Sequence, residues 1–372
     1  MSAGNVELDD NVTPVFGLTK SQLWPAIERA TSGEAVASFD ISIEHQVSPE
    51  DYGYRGDKVI PTFTYTTRSG RTEKITLFVK RHCDPGPAEA HHYANLVNHQ
   101  APIPRMYGTL SDPTQREIIF LEYLDAVTDG DQFLDDAEHY RQFLAVTARF
   151  NAIRPTGEYT VRLRRLDVAA GLLGGQDWDQ RLTRAVSTLD RVWQLACDGE
   201  LGGDLEELCG ASQDKLGRLL AFARGLAEPV SRMATGLCHY DNFPNNLGRR
   251  RETGELLTFD LETVGFMPRF WDVAEWLGAP DEVRPLCRPR KELAEYYLEQ
   301  YTRWAGSAVT VDQFLEEARI LWMAWTFSQL WWWLKEPFCG PVDAMSVEDR
   351  EQVRAKREGL HGELSILLQQ VF

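Results

Sequence analysis

A chain of 372 residues, 43% hydrophobic and 11% aromatic, has enough apolar mass to bury a core as two domains or as one domain with two lobes. Its formal net charge of −17 speaks against nucleic acid as a partner, because a phosphate backbone is held by clustered Lys and Arg. The first ten residues, MSAGNVELDD, carry acids and no apolar stretch, so no secretory leader is read and the expected compartment is the cytoplasm.

In chain order, Lys20 to Ala30 reads as a short helix. The segments FDISIEHQV, VIPTFTYTTRSG and KITLFVKRH alternate or cluster β-branched and aromatic residues, as strands do, and RSGR joins the second and third as a hairpin. AEAHHYANLVNH reads as a helix and EIIFLEYL as a further strand. From about Asp135 the pattern turns helical, with Tyr140, Phe143, Thr147 and Phe150 on one face. The uncharged run from Ile320 to Leu334 falls short of a bilayer span, which takes about 20 residues, and reads as a buried helix; no membrane partner is expected. Only the island from Leu237 to Phe266 interrupts the helices. The expected class is α+β. A small β-rich lobe covers residues 1–122, of which 1–35 form an N-terminal extension with a helix, and a larger, mainly helical lobe covers 123–372.

Six scattered cysteines without a CxxC pair suit a reducing compartment. Cys83 stands beside His82, with His91, His92 and His99 following, which admits a zinc site, although the spacing matches no common ligand pattern.

The chemistry concentrates in CHYDNFPNNLG, residues 238–248, and in LLTFDLETVGF shortly after it. Amides and carboxylates crowded into an apolar island cost free energy unless they are bonded or hold a cation. His239, Asp241 and Asn246, then Asp260 and Glu262, supply a base, a carboxamide and further acids. Phosphoryl transfer asks for such a set: a carboxylate to orient and deprotonate an alcohol, and an Asn–Asp pair to hold magnesium through oxygen ligands. Pro244 would stiffen the loop. The competing reading is a polar turn between two strands, with Asp241 and Asn246 bonding local backbone.

The stretch resembles the catalytic signature of the aminoglycoside phosphotransferase and choline kinase superfamily, which has a protein-kinase-like fold. The signature runs His-Gly-Asp-x-x-Pro-x-Asn, then Asp-aromatic-Glu after a strand, then Asp-aliphatic-Ala. The matching residues are His239, Asp241, Pro244 and Asn246, then Asp260 and Glu262, then Asp272-Val-Ala. Tyr240 stands where the family has Gly, and Leu261 where it has an aromatic residue. The resemblance extends upstream to Lys80 on the third strand and Glu89 on the following helix, and to a hinge at Glu122 to Leu124 whose main chain would meet adenine. It implies ATP and Mg2+ as cofactors and gives each residue a role. Asp241 takes the substrate proton; Asn246 and Asp260 bind the metal; Lys80 holds the α- and β-phosphates and Glu89 pins Lys80. Glu262 reaches a second metal, a substrate amine, or caps its strand. Asp272 bonds the catalytic loop from behind, and His239 supports it. The loop VSPEDYGYRGDK (residues 47–58) has only two glycines and departs from the family's phosphate-covering loop. The resemblance is weak over residues 1–35 and in the middle helical insert.

The implied substrate is a small cationic alcohol. Asp125 to Glu138 holds six acids and no base, DGELGGDLEELCG adds five more, and a late helix carries Trp322, Trp325, Trp331, Trp332 and Trp333. That helix resembles the Trp-rich helix of choline kinases, where aromatic faces receive an ammonium group; Trp325 and Trp331 are candidate contacts. Acidic runs as solvated faces and Trp residues as core are the competing readings. An aminoglycoside-type antibiotic ranks first, a choline, ethanolamine or amino-sugar metabolite second; a nucleotide-binding pseudokinase is the reading from another class. The absence of an H-R-D, D-F-G and A-P-E series in the large lobe argues against a protein kinase. The assembly is expected to be a monomer or homodimer.

Overall fold

The computed structural model describes residues 12–47, 56–85, 89–127, 130–166 and 213–339. The chain divides into two compact units, Met1–Phe133 with Phe243–Glu262, and Leu134–Asn242 with Thr263–Phe372. The sequence reading instead set one boundary after residue 122 and kept 237–266 in the second lobe.

In the first unit, helix α1 (Lys20–Ala30) starts at a capping box: Thr19 Oγ1 accepts the Gln22 N–H, and the Gln22 side chain accepts the Thr19 N–H. Five antiparallel strands form the sheet β1-β2-β3-β5-β4, from β1 (Val36–Val47), β2 (Gly56–Thr67), β3 (Thr72–Pro85), β4 (Met106–Ser111) and β5 (Arg116–Glu122). Alternation assigns the faces. Phe63, Leu77, Val79, Ile118 and Phe120 pack with Leu23 and Ile27 of α1 into one apolar core. Strand β4 has no counterpart in the sequence reading. It is an edge strand of which Gly108 alone is buried, so it carries no apolar alternation to be read.

Helix α2 (Ala90–Leu96) continues as a 3₁₀ turn over Val97–His99. Glu89, expected within this helix, is its N-cap residue. A three-stranded sheet of order β6-β8-β9 completes the unit, from β6 (Asp125–Ala126), β8 (Leu247–Arg249) and β9 (Leu256–Thr258). This pairing, together with the bond from the Thr258 N–H to the Pro102 carbonyl at 2.8 Å, is what draws residues 243–262 into the first unit. Gly248 makes the pairing possible: a Cβ there would lie 2.6 Å from the Leu124 Cβ.

In the second unit, α3 (Ala137–Asn151) is capped by Asp136, whose carboxylate accepts the N–H groups of Glu138 and His139. It buries Tyr140, Phe143, Thr147 and Phe150, the face expected from the sequence. Helices α4 (Gly157–Leu166), α5 (Gln213–Gly225) and α6 (Ala227–Ser231) lead to β7 (Thr235–Cys238), which pairs antiparallel with β10 (Gly265–Pro268). A short turn at Trp271–Val273 runs into a π-helical turn at Ala274–Gly278, followed by α7 (Arg290–Ala305) and α8 (Val311–Cys339). Gly278 lets α8 approach closely, since a Cβ would fall 2.1 Å from the Ala318 carbonyl oxygen. Phe270, Tyr297, Tyr301 and Phe314 join these elements through ring contacts of 4.7–6.1 Å. As expected, α8 is a core helix: Leu321, Trp322, Ala324 and Phe327 are buried. Among the described residues no helix is long and apolar enough to cross a membrane.

Candidate active site

Lys80 is positioned by strand alternation. Val79 points into the α1 core, so Lys80, Phe78 and His82 face the other side of β3. Lys80 is only 4% exposed, and its Nζ donates to Glu89 Oε2 at 2.7 Å and to Asp260 Oδ1 at 2.6 Å, with Glu262 Oε2 at 3.6 Å. Burial alone would lower the pKa of this ammonium, but Glu89 and Asp260 reverse that and hold it above its ordinary value. Burial pushes the Glu89 carboxyl up to about 7, with Lys80 opposing the rise and Asp260 adding to it.

Two residues absent from the sequence reading of this site complete it. Glu117 Oε2, from β5, accepts the N–H groups of Glu89 at 2.8 Å and Ala90 at 3.0 Å. It therefore fixes the start of α2 and, through it, Glu89. His82 is buried, with Nε2 3.6 Å from Glu89 Oε2 and 3.9 Å from Glu117 Oε2, and Nδ1 3.9 Å from Glu262 Oε2. Burial, then the Lys80 charge, pushes its pKa down. Both left a signal: His82 shares the Lys80 face at period two, and Glu117 is an acid directly ahead of the apolar run Ile118–Leu121. Among the described residues no metal-compatible group includes Cys83. Cys83 is exposed, and the metal-compatible group among the described residues is His82, Glu89 and Glu262, whose ligand atoms lie within 4.8 Å of one another.

Beside Lys80 lies a pocket walled by Ile60, Phe78, Leu121, Leu124 and Phe259 and lined as well by Glu89, Tyr93 and Asp260. Both hinge residues, Glu122 and Leu124, line it. The Glu122 side chain is committed to Arg250, at 2.7 and 3.2 Å, and to the Arg105 N–H at 3.0 Å. The Glu122 N–H is itself given to the Arg105 carbonyl at 2.8 Å, so this residue braces the strand end as well as lining the pocket. The loop over residues 48–55 lies outside the described residues.

Asn246 and Asp260 are brought together by the β8–β9 hairpin. Leu247 pairs with Thr258, and the Phe259 N–H donates to the Asn246 carbonyl at 2.9 Å, so one residue enters the hairpin where the other leaves it. Asp260 has φ +64°, the left-handed region that only glycine adopts freely.

In the second unit, Asp241 follows β7 in a loop whose main chain is clamped by a buried carboxylate. Asp272 Oδ2 accepts the His239 N–H at 2.7 Å, and Oδ1 the Tyr240 N–H at 2.8 Å. Asn151 Nδ2 donates to Asp272 at 2.7 Å and to the Leu237 carbonyl at 3.0 Å, while the Tyr297 hydroxyl donates to Asn151 Oδ1 at 3.0 Å. Thr263 Oγ1 donates to the His239 carbonyl at 3.0 Å, and Asn242 Nδ2 to Thr147 Oγ1 at 2.9 Å. Burial pushes the Asp272 pKa up, against the donors and His239. His239 is buried against Phe150, away from solvent. Tyr240 has φ +73°, the reason glycine suits this position; for a non-glycine residue the left-handed region costs about 1–2 kcal/mol. Of the candidate substrate residues, Glu262 lies beside Lys80, and Trp325 is half-buried on α8. Trp331 belongs to the same helix, and its side chain lies outside the described set, as does the acidic run at residues 198–210.

An antiparallel sheet carrying a buried Lys–Glu pair, together with a helical unit that clamps an Asp-bearing loop, is an α+β fold of protein-kinase type. Residues 64–310 match the phosphotransferase enzyme family (APH), and the chain belongs to that family, a small-molecule kinase that draws on a nucleotide. Among solved structures it is similar to a Plasmodium vivax ethanolamine kinase, at 13% identity over 95% of this chain and 92% of that one, with a TM-score of 0.50. It is similar too to an aminoglycoside 2′-phosphotransferase IIIa solved with GDP, at 14% identity over 95% and 97% of the two chains, with a TM-score of 0.45. A choline/ethanolamine kinase family protein from Mesorhizobium loti aligns at 13% identity over 88% of each chain, with a TM-score of 0.42. No curated protein matches the chain.

Proposed function

We propose that this enzyme transfers the γ-phosphoryl group of ATP to a hydroxyl of a small amine-bearing alcohol. The observation that carries the reading is Lys80, buried on a strand face and held between Glu89 and Asp260 in the wall of a largely apolar pocket. The pocket's apolar walls suit a purine, whose edge would meet main-chain groups of Tyr123 and Leu124 beyond the end of β5. Lys80 would hold the phosphates, with Glu89 keeping it in place. Asn246 and Asp260 offer the amide and carboxylate oxygens that suit Mg2+, which when bound would neutralise charge on the phosphates. Asp241 would orient the acceptor alcohol and take its proton. The alcohol oxygen bonds to the γ-phosphorus, the bond from that phosphorus to the β,γ-bridging oxygen breaks, and ADP leaves.

A pseudokinase is disfavoured because every acid that transfer requires is present. The acidic segment from Asp125 to Glu138 and the net charge of −17 favour a cationic acceptor. An aminoglycoside ranks first, with choline, ethanolamine or an amino sugar as the alternative, and the cytoplasm as the place of action. Coupled ADP release, measured over aminoglycosides, amino alcohols, amino sugars and nucleosides, should rise only with amine-bearing alcohols. Turnover confined to uncharged or anionic alcohols would refute the charge argument and leave the kinase reading intact.

A further inference from the structure

We propose that Tyr240 is a specificity-determining residue of this phosphotransfer: its ring, stacked on Trp271, forms an aromatic face that receives the cationic amine of the acceptor. The inference rests on the reading of the protein as a kinase of amine-bearing alcohols.

The backbone of Tyr240 raises the question of why this residue is there. At φ +73° a glycine would sit without strain, and the loop would keep its geometry, because the bond from the Tyr240 N–H to Asp272 Oδ1 is a main-chain bond that owes nothing to the ring. The side chain is therefore held at a cost that the loop itself does not require. Strain of this kind persists where the surroundings over-determine it, and it clusters at functional sites.

The ring's surroundings say what that function is. Tyr240 and Trp271 lie nearly parallel, with centroids 6.1 Å apart and an interplanar angle of 16°. Trp271 is 3% exposed and Tyr240 half-buried, so the pair has a fixed inner ring and an outer ring that reaches solvent. Tyr240 directly precedes Asp241, the residue proposed to receive the substrate proton. A ring face attracts an ammonium through its quadrupole, and more strongly where water is partly excluded. An amine-bearing alcohol meets these conditions, since it presents a cation to the ring face and a hydroxyl for transfer.

The test uses substitutions with matched backbone strain. Tyr240→Phe keeps an aromatic face at positive φ; Tyr240→Leu keeps the strain and removes the face. Binding of choline, ethanolamine, glucosamine and kanamycin to the full chain is measured by calorimetry with Mg2+ and a non-hydrolysable ATP analogue present, with glycerol and glucose as uncharged controls. The parent and Tyr240→Phe should bind at least one amine with affinities within about twofold of each other, and Tyr240→Leu about tenfold more weakly, as expected for a lost cation–π contact. Tyr240→Gly, free of the strain, should unfold at no lower temperature than Tyr240→Leu and bind the amine as weakly, which keeps the test alive should the Leu variant fold poorly. Equal affinities in the Leu and Phe variants would overturn the proposal, while amine-dependent ADP release by the parent would leave the kinase reading standing. A parent that binds none of the amines, or only the uncharged alcohols, would overturn it as well.

Discussion

The two units solve opposite electrostatic problems. In the sheet unit a buried cation, Lys80, is surrounded by the carboxylates of Glu89, Asp260 and Glu262. In the helical unit a buried carboxylate, Asp272, is surrounded by neutral donors from His239, Tyr240 and Asn151. Side-chain charges that hold one another can change partners when a phosphate or a metal arrives. Main-chain N–H groups locked onto a carboxylate cannot do so without losing the loop. The first arrangement therefore suits a site that receives a charged ligand, and the second a scaffold that must not move while a proton is transferred.

The sharpest way to break this contrast is at Asp241. Asp241→Asn keeps the volume of the side chain and removes its capacity to take a proton. Turnover should fall by about 10²–10⁴, the usual range for loss of a general base. Nucleotide binding, followed with a fluorescent ATP analogue, should stay at the parent's level, because the residues proposed to hold the nucleotide belong to the other unit. An Asp241→Asn variant that turns over at the parent's rate would remove Asp241 from the chemistry.

Asp272→Ala tests the scaffold. It leaves the His239 and Tyr240 N–H groups unpaired in a buried setting, at about 1–3 kcal/mol for each. Thermal unfolding should show that loss directly. Asp272→Asn, which can still accept one of the two bonds, should lie between Asp272→Ala and the parent. An unchanged unfolding temperature in Asp272→Ala would mean that the loop holds its shape without the clamp.

How much of this was legible in the sequence differs between the same two regions. Lys80, Asp241, Asn246, Asp260 and Asp272 stand in a fixed order, and the strand around Lys80 shows its period plainly, so the fold class and the candidate site could be read. Asp272 was expected to bond the loop from behind, and its carboxylate does accept the loop's N–H groups. Glu117 and His82 were missed because their roles are long-range. Glu117 reaches the start of α2 only because β3 pairs with β5, with Lys80 opposite Ile119, and no local pattern announces that register. The pairing that joins residues 243–262 to the first unit is long-range in the same way, since the two-residue strand β6 is too short to carry a period. The strain at Tyr240 was visible only as a departure from the family's glycine, with no indication that Trp271 would receive the ring.

The smallest expected effect, and the one that joins charge to pH, concerns Glu89. Its carboxyl, surrounded by Lys80, Asp260, Glu262, His82 and Glu117, is pushed up to about 7 by burial despite the Lys80 charge. Such an acid is ionised above pH 7 and protonated below it, so the ion pair with Lys80 is intact on the alkaline side and lost as the pH falls. The kcat/KM for ATP reports ionisations of the free enzyme, and it should fall about tenfold one pH unit below that midpoint. Stability should run the other way. Between the ordinary carboxyl value of 4.5 and about 7 the folded chain holds a proton that the unfolded chain has released, so stability decreases as the pH rises through that window. Glu89→Gln removes the titration, and it should flatten both curves at once, leaving a low kcat/KM that no longer depends on pH near 7. An acid limb that survives unchanged in Glu89→Gln would assign the titration to another group, and would mean that Lys80 does not depend on the ionised Glu89 to hold its place.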